Sequence, residues 1–189
     1  MGIVSKLRRH PFEGAKVLCV AAFAAAYLWF AKPTALSLAL GAPFVLAGML
    51  IRAWAAGHLE RSHRLTTSGP YAYLRDPLYL GRLLFLCGFA VMGNGPVTWG
   101  MFAAALLVFF FNYMPRKLRK ETARLERLWG EPYREYRSQV RSLIPRLHPY
   151  PGRSPDRWRF QVFWGDNREQ WLILAVLAGV AVLVAKLCV

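Results

Sequence analysis

Apolar residues gather along the chain in five long runs separated by two polar stretches. The runs predict helices at about residues 16–31, 35–56, 78–92, 97–114 and 170–188, each near the roughly 20 residues that cross a bilayer. Lys32-Pro33 closes the first run. In the second, Gly41 and Gly48 make a small-residue face suited to close helix contact, and Pro43 falls where a kink is expected. The turn Gly93-Asn94-Gly95-Pro96 joins the third run to the fourth and makes them an antiparallel hairpin. The expected fold class is therefore all-α: one membrane domain over residues 1–189, a bundle of about five transmembrane helices with a cytoplasmic helical segment at 115–169.

That segment has its own periodicity. From Arg116 to Trp129, Leu118, Leu125 and Leu128 recur at helical spacing among Arg119, Lys120, Arg124 and Arg127, so the fourth span should continue out of the membrane as an amphipathic helix that Gly130 ends. Pro132 then opens a helix running to Pro145, with Tyr133, Tyr136, Val140, Leu143 and Ile144 on one stripe and Arg134, Arg137 and Arg141 opposite. It is placed along the membrane surface, its arginines near lipid phosphates. Residues 146–166 read as an irregular basic connector with aromatic anchors at the interface.

Charge adds topology. A net charge of +15 beside 56% hydrophobic residues excludes a soluble basic protein, and no nucleic-acid partner is expected. With the N-terminus and the polar stretches in the cytoplasm, only Lys32 and Lys186 of the 25 basic residues lie outside. Lys6, Arg8, Arg9 and His10 resemble the start of a signal peptide, but no small-residue cleavage site follows the apolar run, so the segment is expected to be retained. Cys19, Cys87 and Cys188 fall inside apolar runs and are expected to be buried small hydrophobes.

The connector between the second and third runs is richer than a connector requires. Gly57 to Arg82 holds four arginines, two histidines, two acids, two prolines and three tyrosines. Pro70 and Pro77 force a folded loop that becomes helix only near Leu78. Its loop amides, aromatic faces and Arg75, set against a carboxylate at Glu121 one turn out of the bilayer, suit a zwitterionic nucleotide such as S-adenosylmethionine. His58 and His63 have no partner at metal-ligand spacing, and no metal is expected.

Taken together, the Gly69-Pro-Tyr-x-Tyr loop, the Arg-x-Pro-x-Tyr-x-Gly run from Arg75 to Gly81, and the pattern Glu121, Leu125, Trp129-Gly130, Tyr133, Tyr136 closed by Pro145 resemble a known family. It comprises the integral-membrane methyltransferases that include isoprenylcysteine carboxyl methyltransferase and the phospholipid N-methyltransferases. The likeness covers roughly residues 52–145. It implies S-adenosylmethionine held by Gly69, Tyr71, Tyr73, Leu74, Arg75, Pro77, Tyr79, Gly81, Glu121 and Thr122, with Arg75, Asp76 and Glu121 at the chemistry and a lipophilic acceptor entering from the membrane. Many members carry histidine where this chain has Asp76, and a second glutamate where it has Thr122. A carboxylate acceptor would need no base, whereas an amine would pass its proton to Asp76 or Glu121.

Other readings compete with these. Arg75 could anchor topology, the tyrosines could belong to an interfacial belt, Asp76 could cap the third span, and Arg52 and Arg82 could snorkel or meet a substrate head group. At the level of function, an NADPH-dependent reductase of the sterol-reductase type and a non-enzymatic binder of anionic lipid are the alternatives.

Overall fold

The fold is taken from a computed structural model that describes residues 11–60 and 64–188, with side chains from Leu18 onward. Lys6, Arg8, Arg9 and His10, and with them Arg61 and His63, lie outside the described residues. Six helices follow one another: α1 Pro11–Phe30, α2 Ala35–His58, α3 Pro77–Gly93, α4 Pro96–Leu107, α5 Met114–Gln139 and α6 Glu169–Ala185. A 3-10 turn, Gly69–Ala72, lies between α2 and α3, and a π-helical stretch, Val108–Tyr113, joins α4 to α5 without a break. No strand occurs among the described residues.

The ends of the helices follow local chemistry. Thr34 caps α2 reciprocally with Ser37: its hydroxyl accepts from the Ser37 N–H at 3.1 Å, and the Ser37 hydroxyl accepts from the Thr34 N–H at 2.9 Å. α2 runs through Pro43 as one helix. Asn94 takes a left-handed φ of 46° to end α3, and Pro96 opens α4 at once.

α2 and α3 make the most extensive packing in the fold, and glycines allow it. A Cβ on Gly48 would lie 2.9 Å from the Gly81 carbonyl, and one on Gly41 would lie 2.6 Å from the Gly88 carbonyl. The two backbones touch along a seven-residue repeat, the small-residue face expected of Gly41 and Gly48. α6 is tied in at both ends: Glu169 pairs with Arg52 of α2, and Lys186 donates to the carbonyls of Leu28 and Ala31 at the end of α1, at 2.9 and 2.7 Å.

The outward faces are apolar: Leu18, Trp29, Leu36, Leu50, Phe111 and Trp171 are all exposed. Apolar surface on that scale belongs against lipid or another protein. Two helices are long and apolar enough to cross a membrane, Ala35–His58 and the continuous Pro96–Gln139. Of the other expected spans, α3 and α6 are apolar but shorter, with 17 residues each. Cys19 and Cys188 lie on the exposed surface of the bundle, not in its interior as expected, and Cys87 is half-buried.

The amphipathic segment departs from its expected course beyond Gly130. There the backbone leaves helical geometry, with φ 53° and ψ −126°, a conformation open to glycine. The second half of α5 ends at Gln139, not at Pro145. Tyr133, Tyr136 and Val140 do not face a membrane surface; they are buried with Tyr150 in a core of their own, against Leu65, Leu125 and Trp129. Helix stops because the following backbone bonds elsewhere: the carbonyls of Arg141 and Ser142 accept from the N–H groups of Arg75 and Asp76 at 2.9 and 3.1 Å.

The glycine seam gives a direct expectation. Gly48→Val should lower stability by about 1–3 kcal/mol through overpacking, seen as a lower midpoint in thermal unfolding of the detergent-solubilised protein. Gly100→Ala, where a Cβ meets nothing within 4 Å, should leave the midpoint unchanged or raised.

Candidate active site

The loop after α2 is shaped by what it must fold around. Gly69 sits at φ +57°, and a Cβ there would collide with the His58 ring, whose Nδ1 lies 3.0 Å from the Ser68 hydroxyl. The chain then turns through Gly69–Ala72 and enters α3 at Pro77, which needs no N–H partner in the first turn. Tyr79 and Arg82, one turn apart, share a face of α3.

Opposite stands α5. Leu118, Glu121, Thr122 and Leu125 fall at i, i+3, i+4 and i+7, so one stripe of the helix carries a carboxylate and a hydroxyl among leucines. Between this stripe and the loop lies a cavity of about 320 Å³, within the range of small-molecule sites. Tyr71, Arg75, Asp76, Pro77, Tyr79, Glu121 and Thr122 all line it. Tyr79 and Glu121, 42 positions apart in sequence, meet there: the phenol donates to Glu121 Oε2 at 3.3 Å.

Four residues predicted as cofactor contacts lie outside the lining. Gly69 packs on His58, Leu74 is buried, and Gly81 forms the seam with α2, where a Cβ would meet Arg52 Cγ at 2.4 Å. The Tyr73 ring turns instead to Trp54, with centroids 6.5 Å apart.

Asp76 occupies the N-cap position of α3, but its carboxylate does not cap the helix. It accepts from the Ser142 hydroxyl at 2.6 Å and from Arg75 Nε at 3.3 Å. Burial pushes its carboxyl above the ordinary carboxylate range, and the Ser142 hydroxyl and the Arg75 guanidinium pull it part of the way back. Arg52 does not snorkel. It is 4% exposed, pairs through Nε with the buried Glu169, and donates from Nη1 to the Leu78 carbonyl at 2.7 Å while lining the cavity.

Sequence reasoning missed Ser142, Glu169, Thr66 and the pair Arg82–Tyr113. Thr66 lines the cavity with its hydroxyl buried and without a hydrogen-bond partner among the described residues. None of these carried a sequence signal, because each contact depends on a partner more than 25 residues away or on a loop conformation.

Residues 49–131 match the sequence model of the phospholipid methyltransferase family. The central segment of the chain is thus similar to this family. It contains Arg52, the whole loop with Arg75, Asp76 and Tyr79, and the stripe of α5 with Glu121 and Thr122. Among similar proteins, the protein-S-isoprenylcysteine O-methyltransferase of Schizosaccharomyces pombe is 32% identical over 101 residues, covering 53% of this chain and 41% of that protein. The cobalt-zinc-cadmium resistance protein CzcN of Cupriavidus metallidurans is 33% identical over 122 residues, 63% of this chain and 54% of that one. The human protein-S-isoprenylcysteine O-methyltransferase is 32% identical over 84 residues, 44% and 28%. The chain thus spans about half or less of the length of these relatives. No solved structure matches the chain. Glu169, Ser142 and the tyrosines of the α5 end lie beyond the family segment and brace it from outside.

The buried pair makes a prediction. Arg52→Gln should cost about 3–5 kcal/mol, because Glu169 stays buried without its counter-ion. The double change Arg52→Met with Glu169→Leu should recover most of the loss, measured as the thermal midpoint in one detergent.

Proposed function

We propose that the chain is an S-adenosylmethionine-dependent methyltransferase acting on a lipophilic acceptor that reaches the cavity from a membrane. The observation that carries this reading is the meeting of the family loop and α5 over one cavity, with Tyr79 bonded to Glu121 inside it. When bound, S-adenosylmethionine would supply an electrophilic methyl group on a sulfonium.

The residues present fit that donor. The cavity of about 320 Å³ lies near the lower end of the roughly 300–1,000 Å³ range of small-molecule sites. The rings of Tyr71, Tyr79 and Tyr133 line it and would offer faces for adenine and for a cation. Glu121 would accept from ribose hydroxyls, the Thr66 hydroxyl would find its missing partner, and Arg75 would take a carboxylate. Asp76 holds Arg75 by accepting from its Nε. With its proton affinity raised by burial, Asp76 is also the group best placed to hold a proton from an amine acceptor.

The topology proposed with this function is one membrane domain of five crossings, with the loop, α5 beyond Met114, and the N-terminus on the cytoplasmic side. Lys186 and Lys32 support it, since Lys186 reaches the Ala31 carbonyl and both therefore lie at one end of the bundle, away from the basic cavity. The family match favours methyl transfer over the NADPH-reductase and lipid-binding readings.

Binding of S-adenosylhomocysteine to the purified protein, followed by calorimetry, tests the reading. Tyr79→Phe and Glu121→Gln should each weaken it about tenfold, or about 1.4 kcal/mol, with the unfolding midpoint held. Binding of NADPH in its place, or equal affinity in both variants, would remove the site as assigned.

A further inference from the structure

Arg75 and Asp76 stand side by side in the cavity lining, and both are held by the chain 66 positions downstream. Their backbone N–H groups donate to the carbonyls of Arg141 and Ser142 at 2.9 and 3.1 Å, which fixes Ser142 without help from its side chain. On that support the Ser142 hydroxyl donates to Asp76 Oδ2 at 2.6 Å, and the same oxygen accepts from Arg75 Nε at 3.3 Å. The Asp76 and Arg75 side chains are 12% and 16% exposed, so little water competes for these bonds.

The two distances rank the contacts. A hydroxyl on a carboxylate makes a short bond of about 2.5–2.7 Å, and a guanidinium on a carboxylate one of about 2.7–2.9 Å. Ser142 meets the first range and Arg75 falls outside the second, so the hydroxyl places the carboxylate and the carboxylate in turn draws the guanidinium. Asp76 engages only Nε. Among the described residues nothing bonds to the Nη groups of Arg75, which keeps that end of the fork open to a carboxylate. The phenols of Tyr79 on α3 and Tyr136 on α5, both within reach of the Asp76 charge, are uncharged at neutral pH. Across the cavity stand Glu121, Lys117 and Arg124 on α5, Arg82 on α3 and Arg52 on α2.

We propose that Ser142 is a positioning residue: its hydroxyl seats the Asp76 carboxylate, and the carboxylate aims the Arg75 guanidinium at the amino-acid carboxylate of the methyl donor. The inference rests on the methyltransferase reading of the cavity and adds to it a residue that does not itself line the cavity. Burial favours the neutral form of Asp76, and the Ser142 hydroxyl opposes it. Without that hydroxyl, Asp76 takes up a proton at higher pH and lets go of Arg75.

The test has two arms on the full chain in detergent. The sequence holds three aspartates, Asp76, Asp156 and Asp166, so carboxyl-13C aspartate labelling gives a short NMR spectrum in which Asp76 is the signal lost in Asp76→Asn. Ser142→Ala should move the Asp76 titration midpoint to higher pH with no ligand present, and Ser142→Thr should restore it. In the second arm, S-adenosylhomocysteine affinity is followed by calorimetry against pH. It should fall as pH drops through the Asp76 midpoint, and Ser142→Ala should shift this acid limb upward, weakening binding about tenfold between the two midpoints. Asp76→Asn should remove the limb, and Ser142→Ala should add nothing on that background. Ser142→Cys, a weaker donor, should act in the same direction and serves if Ser142→Ala does not fold. An unmoved Asp76 midpoint, or a loss of affinity equal at every pH and not restored by Ser142→Thr, would overturn the proposal. A wild-type chain that binds no S-adenosylhomocysteine while Ser142→Ala still displaces the midpoint would overturn the donor reading and leave the link from Ser142 to Asp76 standing.

Discussion

Five backbone groups of residues 71–76 are bonded by residues 136–150, and the site exists because of that clasp. The Tyr71 carbonyl accepts from the Tyr136 hydroxyl at 2.7 Å, the Ala72 and Tyr73 carbonyls accept from the N–H groups of Tyr150 and Arg146, and the N–H groups of Arg75 and Asp76 donate to Arg141 and Ser142. A loop with two prolines and a 3-10 turn cannot satisfy these groups within itself, and a buried unpaired peptide group costs about 1–3 kcal/mol. The chain 65 positions downstream therefore has to lie on the loop. Once it does, the Tyr133, Tyr136, Val140 and Tyr150 core closes, and the first half of α5 stands over the cavity with Glu121 facing Tyr79.

Charge is sorted around this frame. Arg52 and Glu169 pair where both are nearly inaccessible, joining α6 to the wall of the cavity and to the first turn of α3 through the Leu78 carbonyl. Such a pair adds little net stability, but it forbids other arrangements, because neither partner can be buried alone. Arg75 and Asp76, adjacent in sequence, hold each other at the loop's edge under Ser142. Arg82 and Lys117, which form no carboxylate ion pair among the described residues, lie on the facing helices α3 and α5.

Much of this was legible in the chain. Apolar run lengths and proline and glycine breaks placed the helices within a few residues, the folded loop was read from Pro70 and Pro77, and Gly130 was seen as the stop in α5. Glu121 was read as a carboxylate one turn out of the bilayer, and it stands in the cavity on the stripe of Leu118 and Leu125. Periodicity could not say what a stripe packs against: Tyr133, Tyr136 and Val140 read as a membrane-surface face and instead cover the loop. Nor could it say where a helix yields to backbone bonds made elsewhere, which is why Leu143 and Ile144 were counted as helical. Ser142 and Glu169 were invisible because their value is fixed by partners 66 and 117 positions away. Local propensity says nothing of such pairings.

The continuity of α4 with α5 gives the site its reach. From Pro96 to Trp129 the helix runs on through the π stretch, so the wall bearing Glu121, Thr122 and Lys117 is a rigid extension of the apolar part of the same rod. A helix rises about 1.5 Å per residue, so Glu121 stands at a distance from the apolar surface fixed by residue count and not by a flexible hinge. The loop is held to the same level from the other side, by the glycine seam that locks α3 against α2. Only at Gly130 does the backbone turn, and a Cβ there would meet no atom, so it is the left-handed φ and not crowding that the position demands. That one turn converts a straight rod into a cover: it sends Tyr133 and Tyr136 back onto the loop, where the backbone clasp of residues 71–76 holds them, so the walls of the cavity are set by helices and their closure by a glycine turn and that clasp.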